Sequence, residues 1–447
     1  MLFRPAFIFW KIPIFVIPMK RSALILPVLL GLLPLTAGAQ EICHPAIGTK
    51  MDSPKMTVEL VGRRQSYNLH AKDADPDVQS PKSIHVHPSG EKYYVNSLEG
   101  GKTVVYSMAT KEKLATVSHK IGKQQDSLWA PSSGLFKYNH CYKNPDIFTG
   151  KPVESAFSHD GRYLWIPYYR RSFDLNAQEP SAMAVIDCSA DTLVRLFETG
   201  PLPKMIACSP DGKKMAVTHW GDNTVGIVDI ASEDPADWHF TNLYIVDYQL
   251  KLNFSTTTKV DRDNNSGYCL RGTVFTPDGR YLLVGCMSGG GGIAVIDLEQ
   301  GEYRGRLMGM MPNLRHLVIS GGYLYASINR AGYVQRTPMK TILEAIEQLD
   351  GKTVTVDGWA SCKVPAGART IALSPDGKYI YVACHGGNCL AVVGVDSFRL
   401  LGTVSADSYP VGLDVSKDGR FVFTTSQNIP GQAAGNAVNI FQVTYKL

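Results

Sequence analysis

Several signatures are missing from this sequence, and each absence removes a class of protein. There is no Cys-x-x-Cys-His haem attachment, no Gly-rich phosphate loop and no Gly-x-Ser-x-Gly nucleophile elbow. The local marks of c-type haem chemistry, P-loop nucleotide hydrolysis and α/β-hydrolase catalysis are therefore lacking. Charge of one sign is scarce too. The formal net charge is +5, but Arg4, Lys11, Lys20 and Arg21 lie in the first 39 residues with no acid among them, which leaves 41 basic against 40 acidic side chains. That balance carries no electrostatic footprint for nucleic acid, and none is expected as a partner. Nine cysteines in 447 residues are too sparse to frame a small disulfide-stapled fold. Amphipathic helical spacing is convincing only at Met339–Asp350, a segment expected to pack on the rest of the protein.

Long apolar runs are confined to the N-terminus. Met19-Lys20-Arg21 supplies a basic start, Ala23 to Leu35 an apolar stretch broken by prolines, and Ala37-Gly38-Ala39 a small-residue cleavage site. Residues 1–39 therefore read as a signal segment, with translation expected to start at Met19, and residues 40–447 as the mature protein. Gln40, Glu41 and Ile42 precede Cys43, which is not the small-residue pattern of lipid-modified cysteines. The expectation is an exported protein of the bacterial periplasm or cell surface, with no integral span once the signal is removed. An oxidising compartment makes disulfides plausible at Cys384/Cys389, which flank a short turn, and at Cys269/Cys286, which straddle another. Buried free thiols are the plainer reading of both pairs.

What the sequence does have is a repeat. Residues 371 to 396, IALSPDGKYIYVACHGGNCLAVVGVD, alternate into a Pro-Asp-Gly turn, continue as a β-branched and aromatic strand, and return through a Gly-Gly turn. Six further copies turn at Gly90, Gly161, Gly212, Gly279, Gly321-Gly322 and Gly419. The shortest spacing, 42 residues between Gly377 and Gly419, is the length of a four-stranded propeller blade. The longest, 71, is too short to hide an eighth blade. The sequence thus predicts an all-β fold, a seven-bladed β-propeller of four-stranded blades. The seventh copy ends one strand short, and the alternating segment Met56–Val61, which has no repeat of its own, is expected to supply the outer strand of the last blade.

Repeats such as SPDGKYIYVACHGGNCLAVVGVD and SPDGKKMAVTHWGDNTVGIVDI resemble the YVTN-type, YncE-like family of exported bacterial seven-bladed β-propellers over nearly all of residues 80 to 447. The shared residues belong to turns and strands, so the resemblance implies the fold and leaves the activity open. Such proteins are mostly regarded as binding or interaction modules. Relatives by architecture include propeller lactonases, quinone-dependent dehydrogenases and corrinoid-binding propellers.

Function should lie where the copies differ, around the channel mouth. Seven or eight residues ahead of the turn glycines stand Lys82, Glu154, Lys204, Arg271, Arg315 and Arg369, five cations and one acid. Seven residues after them come Ser97, Tyr168, His219, Cys286, Cys384 and Ser426, with Trp129, Tyr169, Trp220 and His385 nearby in sequence. Long insertions near residues 119–152, 234–269 and 337–366 are expected to join one blade to the next on the same face. The expected ligand-binding set is Lys82, Glu154, Tyr168, Lys204, His219, Trp220, Arg271, Arg315, Arg369 and His385, a basic, aromatic-rimmed funnel for an anionic molecule. The competing reading is that these side chains satisfy loop backbone and pair with acids.

Asp261-Arg262-Asp263-Asn264-Asn265-Ser266-Gly267 spaces oxygen ligands like a calcium loop. Its glycine is one place late, however, and Gly272 stands where the bidentate acid belongs, so an ordinary polar loop is expected. His219, Cys286, Cys384 and His385 come from separate copies, and no metal is expected there. The cofactor is unknown. The expected function is a non-catalytic exported binding module, monomeric, taking a small anionic ligand or an envelope protein or glycan. The alternatives are a propeller hydrolase such as a lactonase, using Glu154, His219 or His385 as acid and base, and a structural cell-envelope protein.

Overall fold

The recurring turn works through a single hydroxyl and a single carboxylate. In the computed structural model, the Ser374 hydroxyl donates to Asp376 at 2.6 Å and accepts the Tyr379 N–H at 3.0 Å, while the other side of the turn closes with the Lys378 N–H on Asp376 at 3.1 Å. Ser209/Asp211, Thr276/Asp278 and Ser416/Asp418 repeat this pattern. Gly377 follows at φ +70°, which only glycine adopts without strain. A three-residue code thus forces a tight reversal, and each reversal joins an inner strand to the second strand of a blade.

The structure describes residues 42–136, 142–174, 177–251, 265–428 and 434–446. The signal segment, Cys141 and most of the calcium-like loop lie outside the described residues. Residues 42–447 cluster as one compact unit. Among the described residues seven sheets run along it, antiparallel except where one edge strand is added parallel. The first comprises Pro81–Val86, Lys92–Ser97, Lys102–Ser107 and Lys113–Ser118, and the sixth Ala368–Leu373, Tyr379–Cys384, Cys389–Gly394 and Arg399–Ser405. Alternate apolar residues from facing sheets form the core. Tyr379, Tyr381, Leu390 and Val392 of blade 6 meet Leu413, Val422 and Phe441 of blade 7 in one buried cluster, so each sheet has both faces covered.

The seventh blade closes as the sequence predicts. Met56–Gln65 pairs antiparallel with Ala437–Tyr445, from Met56 opposite Tyr445 to Gln65 opposite Ala437, and Lys50–Asp52 adds a fifth strand outside it. Met56, Val58 and Leu60 face the core and are fully buried.

Insertion 337–366 lies elsewhere than expected. After Tyr333–Pro338, the third strand of blade 5, the chain forms the helix Met339–Ile346 and lays Thr353–Thr355 parallel to the edge strand Glu302–Met308 of blade 4. It then returns as Ala360–Lys363, the fourth strand of blade 5. The segment links third to outer strand and does not join two blades. Ile342 and Ile346 of the helix are fully buried against blades 4 and 5, and an apolar face at helical spacing needs such a partner. No helix among the described residues is long and apolar enough to cross a membrane.

Candidate anion site at the channel mouth

Each inner strand except that of blade 2 carries a register shift near its start, and the same residue position falls inside it every time. Pro81 faces Ser97 but Ser83 faces Asn96, leaving Lys82 as the extra residue. Equivalent shifts span Lys204, Arg271, Arg315, Arg369 and Val411. In blade 2 the inner segment is interrupted between Phe148–Pro152 and Ala156–Ser158, and Glu154 stands in the gap. A bulge places one residue out of the pleat and re-aims its side chain. Six such bulges and the gap of blade 2, set around an axis, build a ring of six charged side chains and Val411.

Close packing of the inner strands keeps this ring tight. A Cβ on Gly272 would stand 2.7 Å from the Leu317 backbone nitrogen, so only glycine lets the strands of Arg271 and Arg315 approach so closely. Lys82, Arg271 and Glu154 are 6%, 4% and 7% exposed, whereas Lys204, Arg315 and Arg369 are half-buried and open the ring to solvent. Glu154 Oε1 meets Arg271 Nη2 at 3.4 Å. Lys204 Nζ sits 3.5 Å from the Tyr169 ring centroid and 4.7 Å from that of Trp220, in cation–π contact with both. The Nε atoms of Arg271, Arg315 and Arg369 are buried with no hydrogen-bond partner among the described residues.

Burial depresses all five cations; repulsion from neighbouring cations adds to it for Lys82, Lys204, Arg315 and Arg369, whereas Glu154 partly offsets it for Arg271. Lys82 and Lys204 are held well below the usual lysine range. Guanidiniums hold their proton more firmly than ammonium groups, so the arginines stay charged and any loss falls on the lysines. His385 packs 5.3 Å from Tyr409, and burial with the charges of Arg369, Arg315 and Lys82 pushes it down to about 2. Further along the inner strands stand His85, His316 and Asp414. Burial takes His316 down to about 4 and raises Asp414. These three escaped the sequence reading because nothing in the repeat marks them.

Eight of the ten expected residues come together, namely the six charged side chains with Trp220 and His385. Tyr168 and His219 do not, since both are fully buried inside the sheets. The Tyr168 hydroxyl bonds His119 Nδ1 at 2.9 Å, His119 Nε2 bonds Thr103 at 2.8 Å, and Thr103 donates to Asn96 at 2.7 Å. His219 Nδ1 bonds the Thr224 hydroxyl at 2.8 Å, which donates to Asp222 at 2.7 Å. Ser97, Cys286, Cys384 and Ser426 share this position and this complete burial. Strand parity explains it, because the seventh residue after the turn glycine points into the blade. Trp129 also lies away from the mouth, bridging Leu196 on the outer strand of blade 2. Cys384 and Cys389 are directly opposed across their strands with thiols in hydrogen-bond contact, and neither is in a disulfide; Cys188, Cys208, Cys286 and Cys362 are likewise free thiols.

The ring therefore offers an excess of positive charge, unused N–H donors and one carboxylate in a site of low dielectric. Such a site can hold an anion with charge-assisted hydrogen bonds, and its acid and neutral imidazole can move a proton.

The chain is similar to known propellers in sequence and in fold. It is 28% identical over 207 residues to Antigen Lp49 of Leptospira interrogans serogroup Icterohaemorrhagiae serovar copenhageni (strain Fiocruz L1-130), a match of 42% of this chain that spans only 41% of that relative's length. Among solved structures, Kuenenia stuttgartiensis hydrazine synthase superposes with a TM-score of 0.57 at 15% identity, covering 84% of this chain and 99% of that one. The β-propeller domain of Myceliophteria thermophila Cps50 (Swd1) gives 0.55 at 12%, covering 82% and 97%. These two likenesses bear on the fold alone. The family model described as "Lactonase, 7-bladed beta-propeller" matches residues 200–443, which hold Lys204, Arg271, Arg315 and Arg369. That match takes in more than half of the sequence, and the chain belongs to the lactonase family of seven-bladed β-propellers.

Proposed function

We propose that this protein binds a small anionic molecule, carboxylate or phosphate, at the charged ring around the channel mouth. The observation that carries this reading is the set of three buried guanidinium Nε atoms that have no partner among the described residues, in a ring with a single carboxylate, Glu154. Leaving such groups desolvated and unmatched costs stability unless a ligand answers them. Isothermal titration with phosphate and with citrate tests it. Wild-type protein binds one of them, and Arg271→Ala or Arg369→Ala weakens binding by about ten-fold or more, the worth of one charged hydrogen bond. Undiminished binding in both variants would sink the reading.

A second reading is hydrolysis of a lactone that carries an anionic group, favoured by the family match. Glu154 and His385 are its acid–base candidates, and the fully buried His219 is not. Turnover of a lactone panel, lost in Glu154→Gln while anion binding persists, would establish it.

We further propose kinship with the narrower YncE-like group, export to a bacterial periplasm or surface, a monomeric state, and an envelope protein or glycan as the alternative partner. The opposed pair Cys384/Cys389 is placed to close a disulfide in an oxidising compartment.

A further inference from the structure

Lys82 differs from the other cations of the ring in what surrounds it. It is nine-tenths buried, and no carboxylate pairs with it among the described residues. The ring's one acid, Glu154, contacts Arg271. Arg271, Arg315 and Arg369 press on it from blades 4, 5 and 6, and Glu154 acts from blade 2. Influence from four other blades places the amine near the axis. The other groups around the ring are Lys204, His316 and His385, with His85 on its own strand and Asp414 on the adjacent inner strand of blade 7. Asp414 is already committed, accepting the N–H groups of Val86 at 2.7 Å and Val415 at 2.8 Å. Lys204, the other depressed lysine, is only half-buried and packs against the faces of Tyr169 and Trp220, cation–π contacts that favour its charged form and that Lys82 lacks among the described residues.

A buried lysine crowded by permanent cations, with no acid of its own, sheds its proton and becomes a nucleophilic amine at neutral pH. The guanidiniums that bring this about are also the groups that would seat a carboxylate beside it. Building on the anion-site reading above, we infer that Lys82 is a carbonyl-reactive amine, which forms an imine with a ketone or aldehyde that also carries a carboxylate. The nitrogen lone pair adds to the carbonyl carbon and the oxygen takes up a proton. The carbinolamine then loses that oxygen as water, leaving C=N. No oxidant or reductant takes part.

Pyruvate with cyanoborohydride tests this on the whole mature protein. Hydride from the reagent reduces the imine to a stable secondary amine, which peptide mass mapping assigns to a residue. At pH 7 Lys82 is labelled at least about ten-fold faster than an exposed lysine such as Lys340, since an ordinary lysine is almost wholly protonated there. Acetone, which lacks the carboxylate, labels Lys82 more slowly than pyruvate does, and Arg369→Ala narrows that difference. In Lys82→Arg the fast label disappears. Labelling of Lys82 no faster than Lys340, or only above pH 10, overturns the inference. If pyruvate still raises the melting temperature in that case, the anion site stands and only the imine falls; if it binds nowhere, both readings fall.

Discussion

Glu154 Oε1 lies 3.4 Å from Arg271 Nη2, and among the described residues it is the only ion pair made by any of the six charged members of the ring. One carboxylate thus answers five cations, and removing it should expose how far the fold depends on it. Glu154→Gln is expected to cost about 3 kcal/mol of stability in anion-free buffer, because it leaves a buried guanidinium unpaired. Saturating sulfate should restore part of this, as read by urea unfolding with and without the salt. Equal stability in both buffers would mean that the ring is solvated in place.

The closing strand gives a second prediction. Leu60 is fully buried opposite Phe441. Leu60→Ala should cost about 2–5 kcal/mol, the usual range for emptying a packed leucine site. Deleting residues 42–65 should lower the melting temperature further still, and an unchanged melting curve would refute the closure.

Stability should fall in mild acid. Burial lowers His119 and His219 to about 3, His316 to about 4 and His385 to about 2, from an ordinary 6.5. Below pH 6.5 the unfolded chain takes up protons that the folded protein refuses, so these four groups contribute stability above that value and lose it as pH drops toward 4. Asp174, raised to about 6 by burial, and Asp414, raised by burial as well, work in the opposite sense, since their contributions fade as pH rises. Four imidazoles against two carboxyls predict a net fall in melting temperature between pH 7 and 4.5, measurable by calorimetry.

Oxidation supplies a fourth. Cys384 and Cys389 sit directly opposite one another across a four-residue turn. Treatment with oxidised glutathione should remove two hydrogens from the intact mass and add about 2 kcal/mol, the loop-closure value for so short a ring. Cys384→Ser should abolish both effects.

The blade count was legible because its code is local. Ser-Pro-Asp-Gly closes its turn with atoms five residues apart, so each copy announces itself without knowledge of the rest. The ring of cations was legible for the same reason, lying at a fixed offset from each turn. Two things were hidden. Successive residues of a strand point to opposite faces, and a fixed offset after the turn does not say which face it reaches. The position of Tyr168 and His219 looked like a rim but points into the blade. The detour that lends Thr353–Thr355 to the neighbouring blade before blade 5 is finished also depends on distant packing, which no offset records.

The strand Met56–Gln65 has a consequence in time. Its partner Ala437–Tyr445 leaves the ribosome long after it, and nearby contacts such as the Cys43 N–H on Ser408 span 365 residues. Until then blade 7 shows an open edge on one side and Met56–Gln65 is an orphan strand on the other. Six blades can assemble as they emerge, but the seventh must wait for both of these strands. The ring should consequently fold with a slow final step set by that long loop, during which the unpaired strands are most open to aggregation or to a holding chaperone.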